Sequence, residues 1–412
     1  MLPRLTNAFP PSPRLAIALI FLTRGFIAGN WVPRIPGIVA KLDIAPSLLG
    51  IIWFMLAAGC IVAFSVAARM MTSMGSAKTF LFFSVPYSLI LALVSLAPNI
   101  WIFAAGMICY GFIGGGIDVS CTVQGGVVER ATLKPLVSSL YGYFSLGALI
   151  GSFLSGIIAQ IHVPIPAQFT VLAVLGIPTF IYLQRHLLPD EAQPAYAPKA
   201  RRRFRISLPP RVLLPLGALV ICVALGEESI NNWVALYMRQ ELGANPAIAA
   251  FAYTAFAIAT FGGRIFGDSI MQRVGVDRTL MTGSLAAATG IAFGIFVNQP
   301  WAMVMGYAIV GAGLSVVVPV TYRRAGEIPG MSPATAVATV ASIGYIGFLA
   351  GPVLIGLIAD AISLRFALAL VATSLVGIFV LVRLSPSERS AEAIPAPALA
   401  PSLPGEENPL SL

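Results

Sequence analysis

Residues 261–279, FGGRIFGDSIMQRVGVDRT, lie between two apolar runs that are each long enough to cross a bilayer. The stretch combines four glycines with charges of both signs, which a hydrocarbon core rejects. Glycine lets two backbones approach closely, and a carboxylate such as Asp268 accepts hydrogen bonds from arginines or from a helix N-terminus. We therefore interpret Gly262 to Arg278 as a short turn at a membrane boundary, a hinge between two crossings.

The composition of the whole chain indicates membrane insertion. Of 412 residues, 58% are apolar and only 10% are charged, and the mean hydropathy is +0.89, whereas soluble domains carry about 25% charged residues. The net charge of +9 does not indicate nucleic-acid binding, because the basic residues fall where the positive-inside rule places them in a bilayer. The sequence therefore predicts an integral membrane protein that binds no nucleic acid.

Catalytic and metal centres lack the residues that they need. The four cysteines lie singly inside apolar runs, and the only two histidines, His162 and His186, lie at the ends of segments. No phosphate-binding glycine loop with a following lysine is present, which argues against ATP-driven transport by this chain. We expect no catalytic residue, no metal, no cofactor and no enzymatic activity.

Apolar stretches of spanning length recur from a Pro-rich arm at residues 1–14 up to residue 384. With a cytoplasmic N-terminus, the basic residues concentrate in the inner segments, and only Arg34, Lys41, Arg239 and Arg365 fall outside. We therefore expect a multi-pass protein of the cytoplasmic (inner) membrane with both termini in the cytoplasm. The fold class is all-α, with twelve predicted transmembrane helices at 15–38, 46–70, 79–98, 100–127, 137–162, 166–187, 212–239, 246–272, 277–298, 300–325, 333–360 and 363–384.

The two halves of the chain repeat each other at an offset of 200 residues. Leu42 and Pro46 recur as Leu242 and Pro246, and the small residues of the fifth helix recur in the eleventh, with Gly147, Gly151 and Gly156 matching Gly347, Gly351 and Gly356. We predict two six-helix pseudo-repeats, at 1–187 and 212–384. Residues 188–211 are predicted to be a cytoplasmic linker, and residues 385–412 a disordered tail.

The stretch after the eighth predicted helix resembles the signature of the major facilitator superfamily. The residues that carry this likeness, which we interpret as a cytoplasmic gating motif, are Gly263, Arg264, Gly267, Asp268, Arg273, Gly275 and Arg278. The resemblance implies two parallel-related bundles with the substrate between them near the bilayer midplane, and one bundle rocking on the other in alternating access.

Within that superfamily the chain resembles the bacterial branch related to fucose permeases, over nearly the whole span from Leu15 to Arg383. The likeness rests on Asn30, Trp31, Arg34, Ile35, Pro36, Gly50, Asp118, Glu227 to Trp233, and Gly344 to Pro352. Two positions depart from the expected pattern. Ala68 stands where the second half has Asp268, so only one of the two symmetry-related cytoplasmic contacts carries a charge at this position. Tyr141 stands where the branch leads us to expect histidine.

Two ionisable residues are predicted to lie at matched depth in the membrane. Arg24 lies roughly 14 Å into the first helix from the cytoplasmic side, and Asp118 lies about as deep in the fourth. Charges at this depth are functional candidates by default. One hypothesis is that the two pair in one state of a transport cycle and separate when substrate or a proton arrives. The other is a permanent structural ion pair.

Glu227 and Glu228 are adjacent past the middle of the seventh helix. Successive helical residues point about 100° apart, so at most one of them faces a central cavity, while the other needs a partner or water. Carboxylates that exchange protons near neutral pH could couple transport to a proton gradient. Alternatively, the helix unwinds here, and Asn231 and Asn232 solvate a wet vestibule.

The predicted substrate cavity draws on aromatic and amide side chains. Trp31 and Trp233 occupy matching Asn-Trp-Val triplets, where either an interfacial belt or a gating role would explain them. The cavity candidates are Trp31, Gln124, Tyr143, Asn231, Asn232, Trp233 and Tyr345. The glycines of the fifth and eleventh helices are attributed to close helix packing.

These observations together predict a secondary active transporter, a permease that moves a small organic solute through the lipid bilayer by alternating access. Proton coupling is expected, with Arg24, Asp118, Glu227 and Glu228 as its candidates. Uptake and export, or efflux, remain open, and we expect a monomer. A transporter-like sensor that binds a ligand without net flux is the alternative. A membrane-embedded enzyme would need a polar cluster at the bilayer surface, which the sequence does not show.

Overall fold

The computed structural model describes residues 12–132, 136–189, 210–328 and 331–384, and these residues are almost entirely helical, without a strand. Two short 3-10 helices, Val32–Arg34 and Arg211–Leu213, precede α2 and α8. The α-helices are α1 (Pro13–Gly29), α2 (Ile35–Leu42), α3 (Pro46–Met74), α4 (Ser76–Ser95), α5 (Ile100–Thr132), α6 (Val137–Gln160), α7 (Ile165–Gln184), α8 (Leu214–Gln240), α9 (Pro246–Val274), α10 (Val276–Val297), α11 (Pro300–Leu314), α12 (Val317–Gly326), α13 (Pro333–Ala361) and α14 (Leu364–Leu384).

Twelve helical segments of the described chain are long and apolar enough to cross a membrane, which confirms the predicted fold class. The first crossing consists of α1 and α2, and the tenth consists of α11 and α12. Prolines account for both interruptions. In a continuous helix the ring of Pro33 would collide with the carbonyl of Gly29, where α1 ends, and the ring of Pro319 would collide with that of Ser315, just after α11.

The glycine-rich stretch at 261–279 is mostly helix, so the expected turn is wrong in its extent. α9 continues to Val274, and the chain reverses at Gly275, whose φ is +93°. Gly75, 200 residues earlier, makes the same connection between α3 and α4 with a φ of +82°. Side chains with a Cβ rarely adopt this left-handed backbone, so glycine is required at both positions.

Helices pair in the same way in both halves. α1 packs on α6 as α8 packs on α13, α3 on α5 as α9 on α11, and α4 on α7 as α10 on α14. This equivalence is what a duplicated six-helix unit produces. Residues 190–209 of the predicted linker, the predicted tail at 385–412 and residues 1–11 of the N-terminal arm lie outside the described residues.

Apolar side chains fill the bundle and also cover its outside. Phe21, Phe80 and Phe180 are fully buried between helices, whereas Phe296 is 87% exposed and Val174 is 64% exposed. Lipid tails are as apolar as these side chains, so helices in a bilayer are held together by close packing and polar contacts. Close packing is therefore the feature that fixes the arrangement of these crossings.

The two halves meet closely at the end of the bundle where α3 and α9 begin and α6 and α13 end, which we call the closed end. A Cβ added at Gly50 would overlap with the carbonyl oxygen of Pro352, and one added at Gly356 would overlap with that of Pro46. Glycine thus lets α3 and α13 touch backbone to backbone. α6 and α9 form the second such contact, where Gly156 faces Ala250.

One polar contact also crosses the closed end. The Oγ of Ser47 donates a hydrogen bond to Oδ2 of Asp360 at 2.7 Å. Both groups are exposed, so this bond contributes about 1 kcal/mol or less to holding the halves together. Packing of small residues, with little help from polar bonds, closes this end of the molecule.

We expect cysteines at Ser47 and Asp360 to cross-link the halves. The double variant is made without the four native cysteines and with a protease site inserted between residues 198 and 199. After a short bifunctional thiol reagent and proteolysis, the two fragments should stay joined on a denaturing gel. Each single-cysteine variant should separate into two fragments, and separation of the double variant would contradict the observed closed end.

Candidate functional site

An ion pair joins α1 to α5 within the first six-helix repeat. Nη1 of Arg24, on α1, lies 2.7 Å from Oδ1 of Asp118, on α5. The arginine side chain is 12% exposed and the aspartate 33% exposed. The guanidinium also lies 4.7 Å from the ring centre of Phe144 on α6, a cation–π contact. The structure therefore brings together the two charges that the sequence places at matched depth.

Polar groups around this pair come from three further positions. The hydroxyl of Tyr87 donates to the backbone carbonyl of Arg24 at 3.3 Å. The hydroxyls of Thr122 and Tyr141 share a hydrogen bond of 3.0 Å one turn beyond Asp118. The pair is thus built into a partly polar environment, where Asp118 keeps more contact with solvent than Arg24 does.

Glu228 is held within its own helix. Nδ2 of Asn231 donates to one carboxylate oxygen at 3.2 Å, and Nδ2 of Asn232 donates to the other at 2.7 Å. These partners lie three and four residues ahead, the spacing that places side chains on one face of a helix. α8 is continuous from Leu214 to Gln240, so the alternative in which this helix unwinds is wrong.

Glu227 faces a different environment from its neighbour. It lines a larger cavity of about 560 Å³ between α6, α8, α9 and α12, and a smaller cavity of about 200 Å³ between α8, α12 and α13. No hydrogen bond or ion pair involves its carboxylate within the described residues, and Arg264, on α9, lines the larger cavity with it. Two adjacent carboxylates therefore have separate surroundings.

The larger cavity lies where the two halves face each other. One wall comes from α6 and the other from α8, α9 and the start of α12. The residues that line it are Ser139, Tyr141, Gly142, Phe144, Ser145, Ala148, Glu227, Asn231, Tyr253, Phe256, Ala257, Thr260, Phe261, Arg264, Ile265 and Pro319. It extends from the closed end toward the start of α6, so the close packing of the closed end bounds it on that side.

Other predicted cavity residues are divided among different places. Tyr345 lines the smaller cavity, together with Tyr322 and Phe348. Tyr143 lies in a separate, mostly apolar groove between α6 and α9. Asn231 lines the larger cavity. The face of the helix on which a residue lies decides which cavity it lines, and the sequence alone does not determine that face.

Three predicted cavity residues are buried in packed structure, which corrects that prediction. Trp233 is fully buried, and Trp31 is 5% exposed among the rings of Trp53, Phe103 and other aromatic residues. Gln124 is fully buried, and its Nε2 donates to Oγ of Ser76 and to the carbonyl of Leu188. The tryptophans act neither as an interfacial belt nor as cavity walls in this conformation, because their helices turn them toward neighbouring helices.

The predicted gating motif packs against the interruption of the tenth crossing. A Cβ at Gly263 would overlap with Ser315, and one at Gly267 would overlap with Val316, the two residues between α11 and α12. Arg264 reaches the larger cavity. Asp268 is helical in α9, and its side chain lies outside what the structure describes. The remaining motif residues, Arg273, Gly275 and Arg278, lie exposed around the α9–α10 connection.

Sequence reasoning missed an ion pair beside this motif. Arg324, on α12, is 8% exposed and pairs with Asp277, in the first turn of α10. At the repeat offset, these positions correspond to Gln124 and Ala77. Since Gln124 makes a comparable bond to the start of α4, the repeat itself was the signal that could have revealed this contact.

A metal centre finds no support in the described residues, which contain no group of three or more potential ligands. The chemistry that this arrangement offers is the binding of a ligand and the exchange of protons. It consists of one arginine–aspartate pair, one carboxylate held by two amides, and one carboxylate open to two cavities.

Comparisons with known proteins agree with one another. A family model described as Major Facilitator Superfamily matches residues 216–407. An uncharacterized MFS-type transporter of Yersinia pestis is 29% identical over 363 residues, covering 88% of this chain and 92% of that protein. The uncharacterized transporter y4wD of Sinorhizobium fredii is 26% identical over 360 residues, covering 87% of this chain and 94% of that protein.

Solved structures show the same fold. The nucleoside transporter NupG superposes with a TM-score of 0.70 at 10% identity, covering 91% of this chain and 99% of that one. A D-xylose-proton symporter superposes with a TM-score of 0.66 at 15% identity, covering 92% and 99%. At these identities the likeness concerns the fold alone. The narrower resemblance to the branch related to fucose permeases stays a prediction.

We expect Arg324→Gln to destabilise the protein and Arg69→Gln to leave it nearly unchanged. The first substitution leaves Asp277 without its buried partner, at a cost of roughly 1–3 kcal/mol, below the usual range for breaking a fully buried pair. The second removes an exposed charge on α3 that has no ion pair among the described residues, and exposed charges contribute little. Thermal unfolding in detergent measures both.

The double variant Arg324→Gln/Asp277→Asn should recover part of the lost stability, because it removes the unpaired carboxylate. Equal melting temperatures for Arg324→Gln and Arg69→Gln would show that the pair does not stabilise the fold.

Proposed function

The comparisons support the major facilitator superfamily as the family of this chain, and from that premise we propose a proton-coupled transporter that works by alternating access. The same findings support a secondary transporter and argue against an enzyme. Its substrate is a small organic solute that binds between the two six-helix bundles, 1–187 and 212–384. The observation that carries the proposal is the larger cavity, which lies between the halves and is bounded at one end by the close packing of the closed end.

The closed end is suited to opening and closing. Its contacts are mainly glycine against backbone carbonyls, with the exposed Ser47–Asp360 hydrogen bond beside them. Such contacts break without leaving a buried charge unpaired, so separating the halves costs little electrostatic energy. Rocking of one bundle on the other would then open this end and close the opposite one.

The Arg24–Asp118 pair is our main candidate for proton coupling. Asp118 is partly exposed, and Tyr141 and Phe144, which surround the pair, also line the cavity. Protonation of the aspartate would weaken its hold on Arg24, so the arrangement of α1 against α5 would respond to pH on the accessible side. A permanent ion pair would give no such response. Glu228, held by two amides, is the second candidate.

Orientation follows from the basic residues. We place the protein in the cytoplasmic membrane with both termini inside, so the closed end faces outward. Only four basic residues fall on the outer side, and each donates a hydrogen bond to a neutral oxygen. Arg34 binds Gln168 and Lys41 binds the carbonyls of Ser95 and Ala97, while Arg239 and Arg365 bind those of Ala244 and Ile295.

The direct test begins with a ligand screen by thermal stabilisation of the purified protein. Each hit is then followed in proteoliposomes, with and without a pH gradient, for counterflow and for net flux. Counterflow supports a transporter, and accumulation against a concentration gradient only when a pH gradient is present supports proton coupling. Binding without counterflow would identify a sensor. The sign of the pH gradient that drives accumulation distinguishes symport from antiport. With the inward proton gradient of a cell, symport corresponds to uptake and antiport to export.

Asp118→Asn should abolish accumulation driven by a pH gradient. An amide cannot exchange a proton, so the pair with Arg24 no longer responds to pH. Because the buried arginine would also lose its partner, the double variant Arg24→Gln/Asp118→Asn serves as the folding control and should retain the wild-type melting temperature within a few degrees. Wild-type activity and wild-type pH dependence in Asp118→Asn would remove this residue from the mechanism.

Glu228→Gln tests the second candidate with a side chain of nearly the same shape. If Glu228 carries protons, the variant should keep counterflow and lose the stimulation by a pH gradient. Glu327→Gln, which removes an exposed carboxylate at the end of α12, is the matched control and should behave as wild type. Gradient-driven accumulation that persists in both Glu227→Gln and Glu228→Gln would exclude coupling through these carboxylates.

A further inference from the structure

Within the described residues, the carboxylate of Glu227 has no hydrogen-bond or ion-pair partner. Its neighbour Glu228 receives two amide hydrogen bonds, whereas no bond or ion pair of the described residues involves Glu227. Desolvating an ionised carboxylate is costly unless it is paired. The protein tolerates this cost at a position that opens into both cavities, which is where a bound molecule could supply the missing partner.

The surroundings of Glu227 are aromatic. Tyr322, Tyr345 and Phe348 line the smaller cavity with it, and Tyr253 and Phe256 line the larger one. The faces of aromatic rings carry partial negative charge and attract organic cations, including ammonium groups. A carboxylate among such rings offers charge and dispersion contacts to a cation, and it offers nothing comparable to an anion.

The basic residues nearby do not reverse this preference. Arg24 is already paired with Asp118. Arg264 lines the larger cavity, but its side chain is exposed, so water screens its charge, and it does not line the smaller cavity. Within the described residues, Glu227 is therefore the only charged side chain on the wall of the smaller cavity.

The smaller cavity has the size of one aromatic or branched aliphatic group. Its volume is about 200 Å³, and an engineered apolar cavity of about 150 Å³ in another protein holds a benzene molecule. Apart from Glu227 and two tyrosines, its walls are apolar, with Val220, Val223 and Phe348 among them. An apolar body would fit here while a charged group remains beside the carboxylate.

We infer that the substrate is an organic cation with a compact apolar body, whose ammonium group pairs with Glu227 while the body enters the smaller cavity. This inference rests on the proposed transport function and specifies the class of solute. It also gives the two adjacent carboxylates separate tasks, with Glu227 binding the solute and Glu228 remaining bonded to the asparagines of its own helix.

The experiment uses four probes with one skeleton, namely phenylbutylammonium, phenylbutanol, phenylbutanoate and the zwitterion homophenylalanine. Their binding to the full-length protein in detergent is measured by titration calorimetry and by thermal stabilisation. The ammonium probe should bind at least about tenfold more tightly than the alcohol, and the anion should bind most weakly. Glu227→Gln should remove the difference between the ammonium and the alcohol, and Glu327→Gln should retain it.

Glu227→Asp is the second variant, because it keeps the charge if the glutamine variant does not fold. It should preserve the order of the probes with weaker binding of the ammonium. Equal binding of ammonium and alcohol to the wild type, absence of binding by all four probes, or unchanged ammonium affinity in Glu227→Gln would overturn the inference. So would tightest binding of the zwitterion, lost in Arg264→Gln, since that pattern identifies a zwitterionic substrate.

Flux assays separate this inference from the proposed function. Counterflow of a different solute, without ammonium selectivity, would refute the cation site and leave the transporter standing. Glu227-dependent binding of the ammonium without any counterflow would support the site and refute transport. Counterflow of phenylbutylammonium that is lost in Glu227→Gln would support both.

Discussion

A charged side chain inside a membrane needs a partner, and this constraint organises the polar interior of the protein. Arg24 has Asp118, Arg324 has Asp277, and Glu228 has two amides from its own helix. The basic residues at the closed end donate to carbonyl or amide oxygens. Glu227 is the exception in the part of the chain that the structure describes, since no hydrogen bond or ion pair reaches its carboxylate. This is why we propose that a solute binds there.

Close backbone packing is the second constraint. Helices surrounded by lipid gain little from burying apolar surface against one another, so their contacts depend on how near the backbones come. At Gly50 and Gly356 the two halves approach so closely that a single added carbon would not fit. Gly263 likewise lies in close contact with Ser315, at the interruption of the tenth crossing. Small residues thus determine where the halves touch.

The sequence predicts the crossings well, because length and apolar character are properties of each segment alone. It also brings Arg24 and Asp118 to one level, since the rise of a helix converts residue number into depth. What it misses concerns the direction in which side chains point. Trp31, Trp233 and Gln124 are at suitable depths, but their side chains point into packed interfaces between helices. A helix that is apolar on all sides gives no periodic signal from which this orientation could be predicted. The charges and glycines of residues 261–279 likewise predict a turn. A helix that extends beyond the bilayer has the same composition, so the sequence does not distinguish the two.

The junction at Gln124 and Arg324 shows how far the two copies of the duplicated unit have diverged. In the first copy a neutral amide holds the start of α4 through Ser76, and in the second an arginine and an aspartate hold the start of α10. A gene that encoded one unit assembling with itself would have to use one solution at both places. A single chain that carries both units is free of that requirement, and here each unit has its own residues at this junction. The two units are consequently no longer interchangeable: a protein assembled from two first copies would lack both members of the ion pair, and one assembled from two second copies would carry it twice.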